Sequence, residues 1–205
     1  AFADRAEFLG DADFVDVPVT RLISREHARE LASRIDLKQT RPTNTYGRFA
    51  PVNDSGTTHF SVIDHHGSAV ACTEPPNPAS GSWIVEPKFG ILLNNEMDDF
   101  AAVPGQPNAF GLIQSAANAV APRKKPLSSM TPTIVVKDGK AVFALGASGG
   151  PRIITATTQV LLNLIHRQQS PSAAVQAPRL HHQWLPDVLD LEPHLYRELH
   201  DPLTA

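Results

Sequence analysis

The sequence has little cysteine, no long apolar run and no block of positive charge. Its 205 residues include one cysteine, Cys72, so no disulfide can form within the chain and no redox compartment is indicated. No apolar run approaches the ~20 residues that span a bilayer. The formal net charge is −3, and no basic cluster is present to neutralise a nucleic acid backbone. The sequence therefore predicts neither a membrane segment in this chain nor a nucleic acid partner.

Apolar periodicity of two kinds is present, and 18 prolines separate the periodic segments. Helical spacing predicts helices over residues 25–35, with Ser24 as N-cap, 151–167 and 170–177. Alternation and turn residues predict strands over 57–64, 69–73, 90–93, 133–137, 140–145 and 188–191. The Asp138-Gly139 dipeptide is typical of a type I′ hairpin turn. Strands gather in the middle and helices at both ends, which favours an α+β layered domain.

A loop of small residues, Asp54–Gly56, leads into the strand that starts at Thr57. Taken alone, this is an ordinary strand entry. It also fits an autoproteolytic junction, in which the Thr hydroxyl attacks the preceding carbonyl and hydrolysis frees an N-terminal Thr. The freed α-amine, near neutral in pKa, can then act as the base for its own hydroxyl. A glycine before the threonine permits the strained backbone that the attack requires.

The Gly149-Gly150 pair directly precedes a predicted helix. Amide hydrogens at a helix N-terminus stabilise negative charge, so the pair could bind a tetrahedral oxyanion. A nucleotide phosphate loop is a poor alternative, because the Lys-Ser/Thr pair and the glycine spacing of such loops are missing. The paired histidines at 65–66 and 181–182 lack the spacing that puts two ligands on one helix face, so no metal site is predicted.

Five stretches, in order along the chain, resemble the small subunit of gamma-glutamyltransferases, members of the N-terminal nucleophile hydrolase superfamily. They are residues 56–62, 90–100, 125–130, 146–152 and 177–184. Residues 1–11 are similar to the end of that family's large subunit. The resemblance implies a four-layer αββα sandwich that is incomplete in this chain. It divides the chain into 1–56, the end of the large subunit with a connector, and 57–205, a small catalytic subunit truncated at its C-terminal end.

The resemblance also implies what individual residues do. Thr57 matches the nucleophile, freed by cleavage after Gly56, and Gly149 and Gly150 match the oxyanion hole. The residues that match γ-glutamyl-binding positions are Asn77, Glu96, Asp99, Ser128 and Ser129. Their chemistry agrees, because the acids can accept hydrogen bonds from an ammonium and the hydroxyls can donate to a carboxylate. The implied activity is γ-glutamyl transfer or glutathione hydrolysis through a γ-glutamyl-enzyme, without a metal or organic cofactor.

The segment 104–118, centred on Phe110, resembles a lid over the glutamyl site in some relatives. The alternative is a surface loop with one buried anchor. The implied partners are glutathione or other γ-glutamyl compounds, amino acid or peptide acceptors, and the rest of the large subunit. Many bacterial relatives are exported, so the resemblance favours a periplasmic or extracellular location.

The sequence departs from the family pattern at Pro75, where many members have a threonine whose hydroxyl contacts the nucleophile. Proline brings neither a side-chain hydroxyl nor a backbone donor. Asn77 keeps the family's residue type but lies between Pro76 and Pro78. Two alternatives to a γ-glutamyl enzyme follow: a non-catalytic member that binds a glutamyl ligand without turnover, and a glutaryl-type acylase on the same fold. A glutaryl substrate lacks the ammonium that the two acids would bind, which favours the glutamyl substrate.

Overall fold

The computed structural model describes residues 1–39, 57–75 and 81–204. The helices in these ranges are α1 (Phe2–Phe8), α2 (Val19–Leu22), α3 (Arg25–Ser33), α4 (Arg152–Ile165), α5 (Pro171–Gln176) and α6 (Pro193–Thr204). The strands are β1 (Thr58–Ile63), β2 (Ala69–Glu74), β3 (Val85–Glu86), β4 (Ile91–Leu92), β5 (Thr133–Lys137), β6 (Lys140–Leu145), β7 (Leu180–His181) and β8 (Asp190–Leu191). The mixture of helices and strands confirms the predicted α+β class.

The strands of the described residues form four two-stranded antiparallel sheets, in which β1 pairs with β2, β3 with β4, β5 with β6 and β7 with β8. The β5–β6 hairpin has the predicted bounds, and its turn residues Asp138 and Gly139 have φ values of 52° and 75°. These left-handed values are those that a type I′ turn requires. A register shift between Val135 and Val136 interrupts the ladder.

Helix α3 begins after the predicted N-cap, Ser24, and α5 begins after a second serine N-cap, Ser170. The Ser24 hydroxyl accepts a hydrogen bond from His27 N at 3.0 Å, and the Ser170 hydroxyl accepts one from Ala173 N at 3.3 Å. Helix α3 ends at Ser33, two residues before the predicted end. Ile35 is 65% exposed, so no apolar packing supports a further turn there.

The chain divides into two compact units, which we describe separately. Unit 1 comprises residues 1–53, 97–128 and 184–187, and unit 2 comprises 54–96, 129–183 and 188–205. The buried apolar residues of unit 1 include Phe100, Phe110 and Leu112, and those of unit 2 include Ile153 and Ala174. No helix in the described ranges has the length and apolar character needed to cross a bilayer.

Candidate active site

Thr57 lies immediately before β1 in unit 2 and is half-buried. The β1–β2 register runs from Thr58 opposite Glu74 to Ile63 opposite Ala69. Extending it by one residue sets Thr57 opposite Pro75, which has no N–H to continue the ladder. The departure from the family pattern therefore lies at the end of the β1–β2 ladder that is next to the candidate nucleophile. Gly56 and Asn77 lie outside the described residues.

His59, on β1, contacts β2 and the turn after β6. Its Nδ1 lies 2.8 Å from Thr73 Oγ1 and its Nε2 lies 2.9 Å from Ser61 Oγ. Burial lowers the pKa of His59, so the imidazole is neutral at pH 7. The imidazole occupies the space that a Cβ on Gly146 would need. Glycine at this position therefore allows the turn after β6 to approach the strand that carries Thr57.

The same turn continues to Gly149 and Gly150, whose φ values of 121° and 51° lie in the region that favours glycine. Their carbonyls accept hydrogen bonds from Arg152 N at 3.1 Å and Ile153 N at 3.0 Å. These contacts form the first turn at the N-terminus of α4, which begins at Arg152. The two glycines therefore lie at the positive end of a 14-residue helix, where backbone amides favour an anion.

The candidate substrate-binding residues are divided between the two units. Glu96 and Ser129 belong to unit 2, and Asp99 and Ser128 belong to unit 1. A 3-10 helix covers Glu96–Asp99, in place of the exposed acidic turn that such a cluster usually forms. Asp99 is 8% exposed, whereas Ser128 is exposed.

Phe110 lies in a tightly bonded loop of unit 1 and is 8% exposed. Its backbone N–H donates to Asn108 Oδ1 at 3.0 Å, and Asn108 Oδ1 also accepts from Leu112 N at 3.0 Å. The carboxylate of Asp98 accepts a hydrogen bond from Ala109 N at 3.0 Å. This burial agrees with the interpretation of Phe110 as the buried anchor of a loop.

A cavity of about 600 Å³ in unit 2 was not foreseen from the sequence. It lies beside the N-terminal half of α4, and Arg152, Thr155 and His181 contribute to its lining. Thr155 Oγ1 lies 2.7 Å from His181 Nδ1, and Arg152 Nη2 donates to Asp190 Oδ2 at 2.8 Å. Burial lowers the pKa of His181, against an opposing effect of its hydrogen bond to Gln183. These contacts hold α4 against β7 and β8.

Unit 1 contains a set of buried polar residues that the sequence did not single out. Arg5 is 7% exposed, Gln114 2% and Asn118 0%. The Gln114 and Asn118 side chains donate to the backbone carbonyl of Asp99 at 3.0 and 2.7 Å. Charged and amide side chains are mostly exposed in proteins. The burial of these three beside Asp99, a candidate binding residue, is visible only in the folded structure.

No group of His, Cys, Asp and Glu side chains suited to a metal ion occurs within residues 1–39, 57–75 and 81–199. Thr57 offers a hydroxyl just before a strand, and Gly149 and Gly150 lie at a helix N-terminus, where backbone amides favour an anion. Those are the elements of nucleophilic acyl transfer.

Comparison with known proteins identifies the family. The chain is 50% identical to the glutathione hydrolase proenzyme of Escherichia coli K12 over 94% of this chain and 33% of that protein. It is 43% identical to the "Putative inactive glutathione hydrolase 4" of Arabidopsis thaliana over 90% of this chain and 98% of that protein. The chain spans about a third of the length of the first of these relatives.

A solved structure, the T380A mutant of Helicobacter pylori gamma-glutamyltranspeptidase, superimposes with a TM-score of 0.68 at 48% identity, over 72% of this chain and 80% of that chain. This similarity confirms the predicted N-terminal nucleophile hydrolase fold. The gamma-glutamyltranspeptidase family model matches residues 1–205. The chain therefore belongs to the gamma-glutamyltranspeptidase family.

Proposed function

We propose that this chain is the processed, catalytic part of a γ-glutamyl-transferring enzyme and that cleavage occurs between Gly56 and Thr57. The observation that carries the proposal is the position of Thr57 immediately before β1. Two residues further along that strand, His59 packs against Gly146, in the turn that leads to Gly149 and Gly150. The similarity to relatives named as glutathione hydrolase proenzymes supports the same proposal.

The chemistry begins with attack of Thr57 Oγ on the carbonyl carbon of Gly56. The peptide C–N bond breaks as the ester forms, and water hydrolyses the ester to give a Gly56 carboxylate and a free α-amine on Thr57. In turnover, that amine takes the hydroxyl proton while Oγ attacks the γ-carbonyl of the donor. The backbone amides of Gly149 and Gly150 stabilise the oxyanion, and the departing amine receives the proton. Water or an acceptor amine then releases the γ-glutamyl group.

Substrate recognition in this proposal uses five side chains. Glu96 and Asp99 accept from the α-ammonium of the donor, Ser128 and Ser129 donate to its α-carboxylate, and Asn77 completes the set. Glutathione or a related γ-glutamyl compound is the donor. The proposed division into 1–56 and 57–205 leaves the two pieces associated, because unit 1 includes residues on both sides of Gly56.

The test is intact mass and N-terminal sequencing of protein expressed from the complete reading frame, beside a Thr57→Ala variant. We expect a new N-terminus at Thr57 in the parent protein and a single uncut chain in the variant. Hydrolysis of a γ-glutamyl anilide should appear with cleavage and be absent in Thr57→Ala. An uncut parent chain with no turnover after long incubation would contradict the proposal.

A second candidate is a non-catalytic family member that binds a glutamyl ligand. Pro75 favours it, because it lies directly after the end of β2 that is next to Thr57. The Arabidopsis thaliana relative described above is named as inactive. Pro75→Thr separates the two candidates, because it restores the hydroxyl and the backbone donor. Faster cleavage in Pro75→Thr than in the parent protein would show that Pro75 slows cleavage in a catalytically competent enzyme. No cleavage in either protein, together with L-glutamate binding, would support the non-catalytic candidate.

The acylase alternative is tested by comparing turnover of a γ-glutamyl anilide with that of a glutaryl anilide. The two compounds differ only in the α-ammonium, which is the group that Glu96 and Asp99 would bind. We expect preference for the glutamyl compound. Preference for the glutaryl compound would replace the proposed substrate with a glutaryl-type one while keeping the nucleophile.

A further inference from the structure

Arg5, on α1, is a buried cation in unit 1 that the chemistry proposed above does not use. Its side chain is 7% exposed, and its Nη2 lies 3.5 Å from the carbonyl of Leu127 and 3.4 Å from that of Ser128. Burial lowers the pKa of Arg5 to about 10, against the charge of Asp99, which raises it. The guanidinium is therefore charged at neutral pH, and its surroundings include both candidate binding residues of unit 1.

Buried amides link the same two stretches of backbone. Asn118 Nδ2 donates to the carbonyl of Asp99 at 2.7 Å, while Asn118 Oδ1 accepts from Leu127 N at 3.1 Å. Gln114 Nε2 adds a second donor to the Asp99 carbonyl at 3.0 Å. The backbone at Asp99 and the backbone before Ser128 are thus fixed to each other through fully buried polar groups, which are costly to rearrange.

We propose that Arg5 is a positioning residue that orients Asp99 and Ser128 toward the α-ammonium and α-carboxylate of a γ-glutamyl substrate. This inference rests on the proposed function, in which those two residues bind the substrate. Arginine suits the role because its planar fork of donors can serve two carbonyls while it faces a carboxylate. A lysine in its place has one compact ammonium and cannot match that geometry.

The position of Arg5 in the chain gives the inference a further consequence. Arg5 precedes the proposed cleavage site at Gly56, whereas Asp99 and Ser128 follow it. A backbone hydrogen bond also connects α1, which carries Arg5, to another segment of unit 1, because Ser115 N donates to Ala6 O at 2.9 Å. After cleavage, one polypeptide would orient the substrate-binding residues of the other.

The experiment uses Arg5→Met and Arg5→Lys in the complete protein, with Arg29→Met as the matched control. Arg29 lies on α3 in the same unit, and its side chain is 74% exposed. For each protein we would measure cleavage by mass, KM and kcat for a γ-glutamyl anilide, and inhibition by L-glutamate and by glutarate. Glutarate lacks the α-ammonium, so the ratio of the two inhibition constants reports recognition of that group.

We expect the Arg5→Met protein to be cleaved normally. Its KM should rise about tenfold and its kcat should change less than about threefold, because the lost interaction stabilises the bound substrate and the transition state equally. The preference for L-glutamate over glutarate should fall at least about fivefold, with a smaller fall in Arg5→Lys and none in Arg29→Met. A general loss of stability would not change that ratio, so it separates positioning from folding.

An unchanged KM and an unchanged preference in a cleaved Arg5→Met protein would overturn the inference. If Arg5→Met does not fold, Arg5→Lys decides, and a parent-like preference in that variant overturns it equally. Absence of γ-glutamyl turnover in the parent protein would instead contradict the proposed function. In that case the positioning role of Arg5 would be tested by measuring L-glutamate binding by calorimetry. An unchanged affinity in Arg5→Lys would contradict the inference.

Discussion

In unit 2 the candidate catalytic residues lie just before regular backbone elements, whereas in unit 1 the candidate binding residues are held by buried polar side chains. Thr57 directly precedes a paired strand, and Gly149 and Gly150 precede a long helix. The backbone of Asp99, in contrast, is held by the amides of Gln114 and Asn118. Strand pairs and helix starts depend largely on residues near in sequence, while a buried amide network depends on residues far apart.

The two units should therefore respond to substitution by different physical routes. In unit 1, removing one amide leaves backbone donors and acceptors buried without partners, which costs more than the hydrogen bond was worth. In unit 2, the sensitive points are places where added atoms would overlap a neighbour or where a side chain would strain the backbone. Substitutions chosen for each route test whether this difference is real.

The largest effect is expected from Asn118→Ala in unit 1. It removes a donor from the Asp99 carbonyl and the acceptor of Leu127 N at a fully buried position. We expect the free energy of unfolding to fall by about 2–4 kcal/mol. Urea denaturation in a Thr57→Ala background, which keeps a single chain, would measure it.

The control for Asn118→Ala is Gln176→Ala, which removes an exposed amide that donates to Ser172 Oγ at 3.1 Å. Its cost should stay below about 0.5 kcal/mol, as for most surface substitutions. If Asn118→Ala cost no more than Gln176→Ala, the buried network would not be what holds unit 1.

The next effect is expected from Gly146→Ala in unit 2. The added Cβ would overlap the imidazole of His59, so strand β1 or the turn must shift. We expect a loss of about 1–3 kcal/mol in the free energy of unfolding. Because the cause is overlap, the His59→Ala/Gly146→Ala double variant should be less destabilised than the sum of the two single variants. Strictly additive losses in the free energy of unfolding would show that the added Cβ and the His59 imidazole do not overlap.

The sequence predicted the parts of the fold that local signals specify. The Asp138-Gly139 turn predicted the β5–β6 hairpin with its observed bounds, and the Ser24 cap predicted the start of α3. The α+β class followed from the order of these elements. In each case the residues that determine the structure lie within a few positions of one another.

Helix α1 and its buried Arg5 could not be predicted in the same way. Seven residues are too few for a stable isolated helix, so α1 depends on tertiary contacts, and a charged residue is normally expected at the surface. The register of β1 and β2, which ends next to Thr57 and Pro75, also needed the structure, although the sequence already marked Pro75 as a departure. The family resemblance, not periodicity, supplied the candidate roles of Asp99 and Ser128.

A smaller effect, equal in the two units, is expected from removing helix caps. Ser24→Ala in unit 1 and Ser170→Ala in unit 2 each remove one side-chain acceptor from a helix N-terminus. We expect each to cost about 1 kcal/mol in the free energy of unfolding, and the corresponding glycine variants to cost only a few tenths relative to serine. A glycine variant as costly as alanine would mean that the serine acts through other contacts.

The smallest effect concerns pH and again separates the units. Burial lowers the pKa values of His59 and His181 in unit 2, whereas Arg5 in unit 1, with a pKa of about 10, stays protonated from pH 5 to pH 8. Between the lowered folded pKa values and the ordinary value near 6.5, the unfolded chain binds more protons than the folded one. Stability from these histidines is therefore complete above that range and is lost as the pH falls through it. Denaturation at pH 7.5, 6.5 and 5.5 should show a decline smaller than the loss of one cap, and the His59→Gln/His181→Gln variant should show less of it. An equal decline in that variant would assign the pH dependence to other groups and remove this difference between the units.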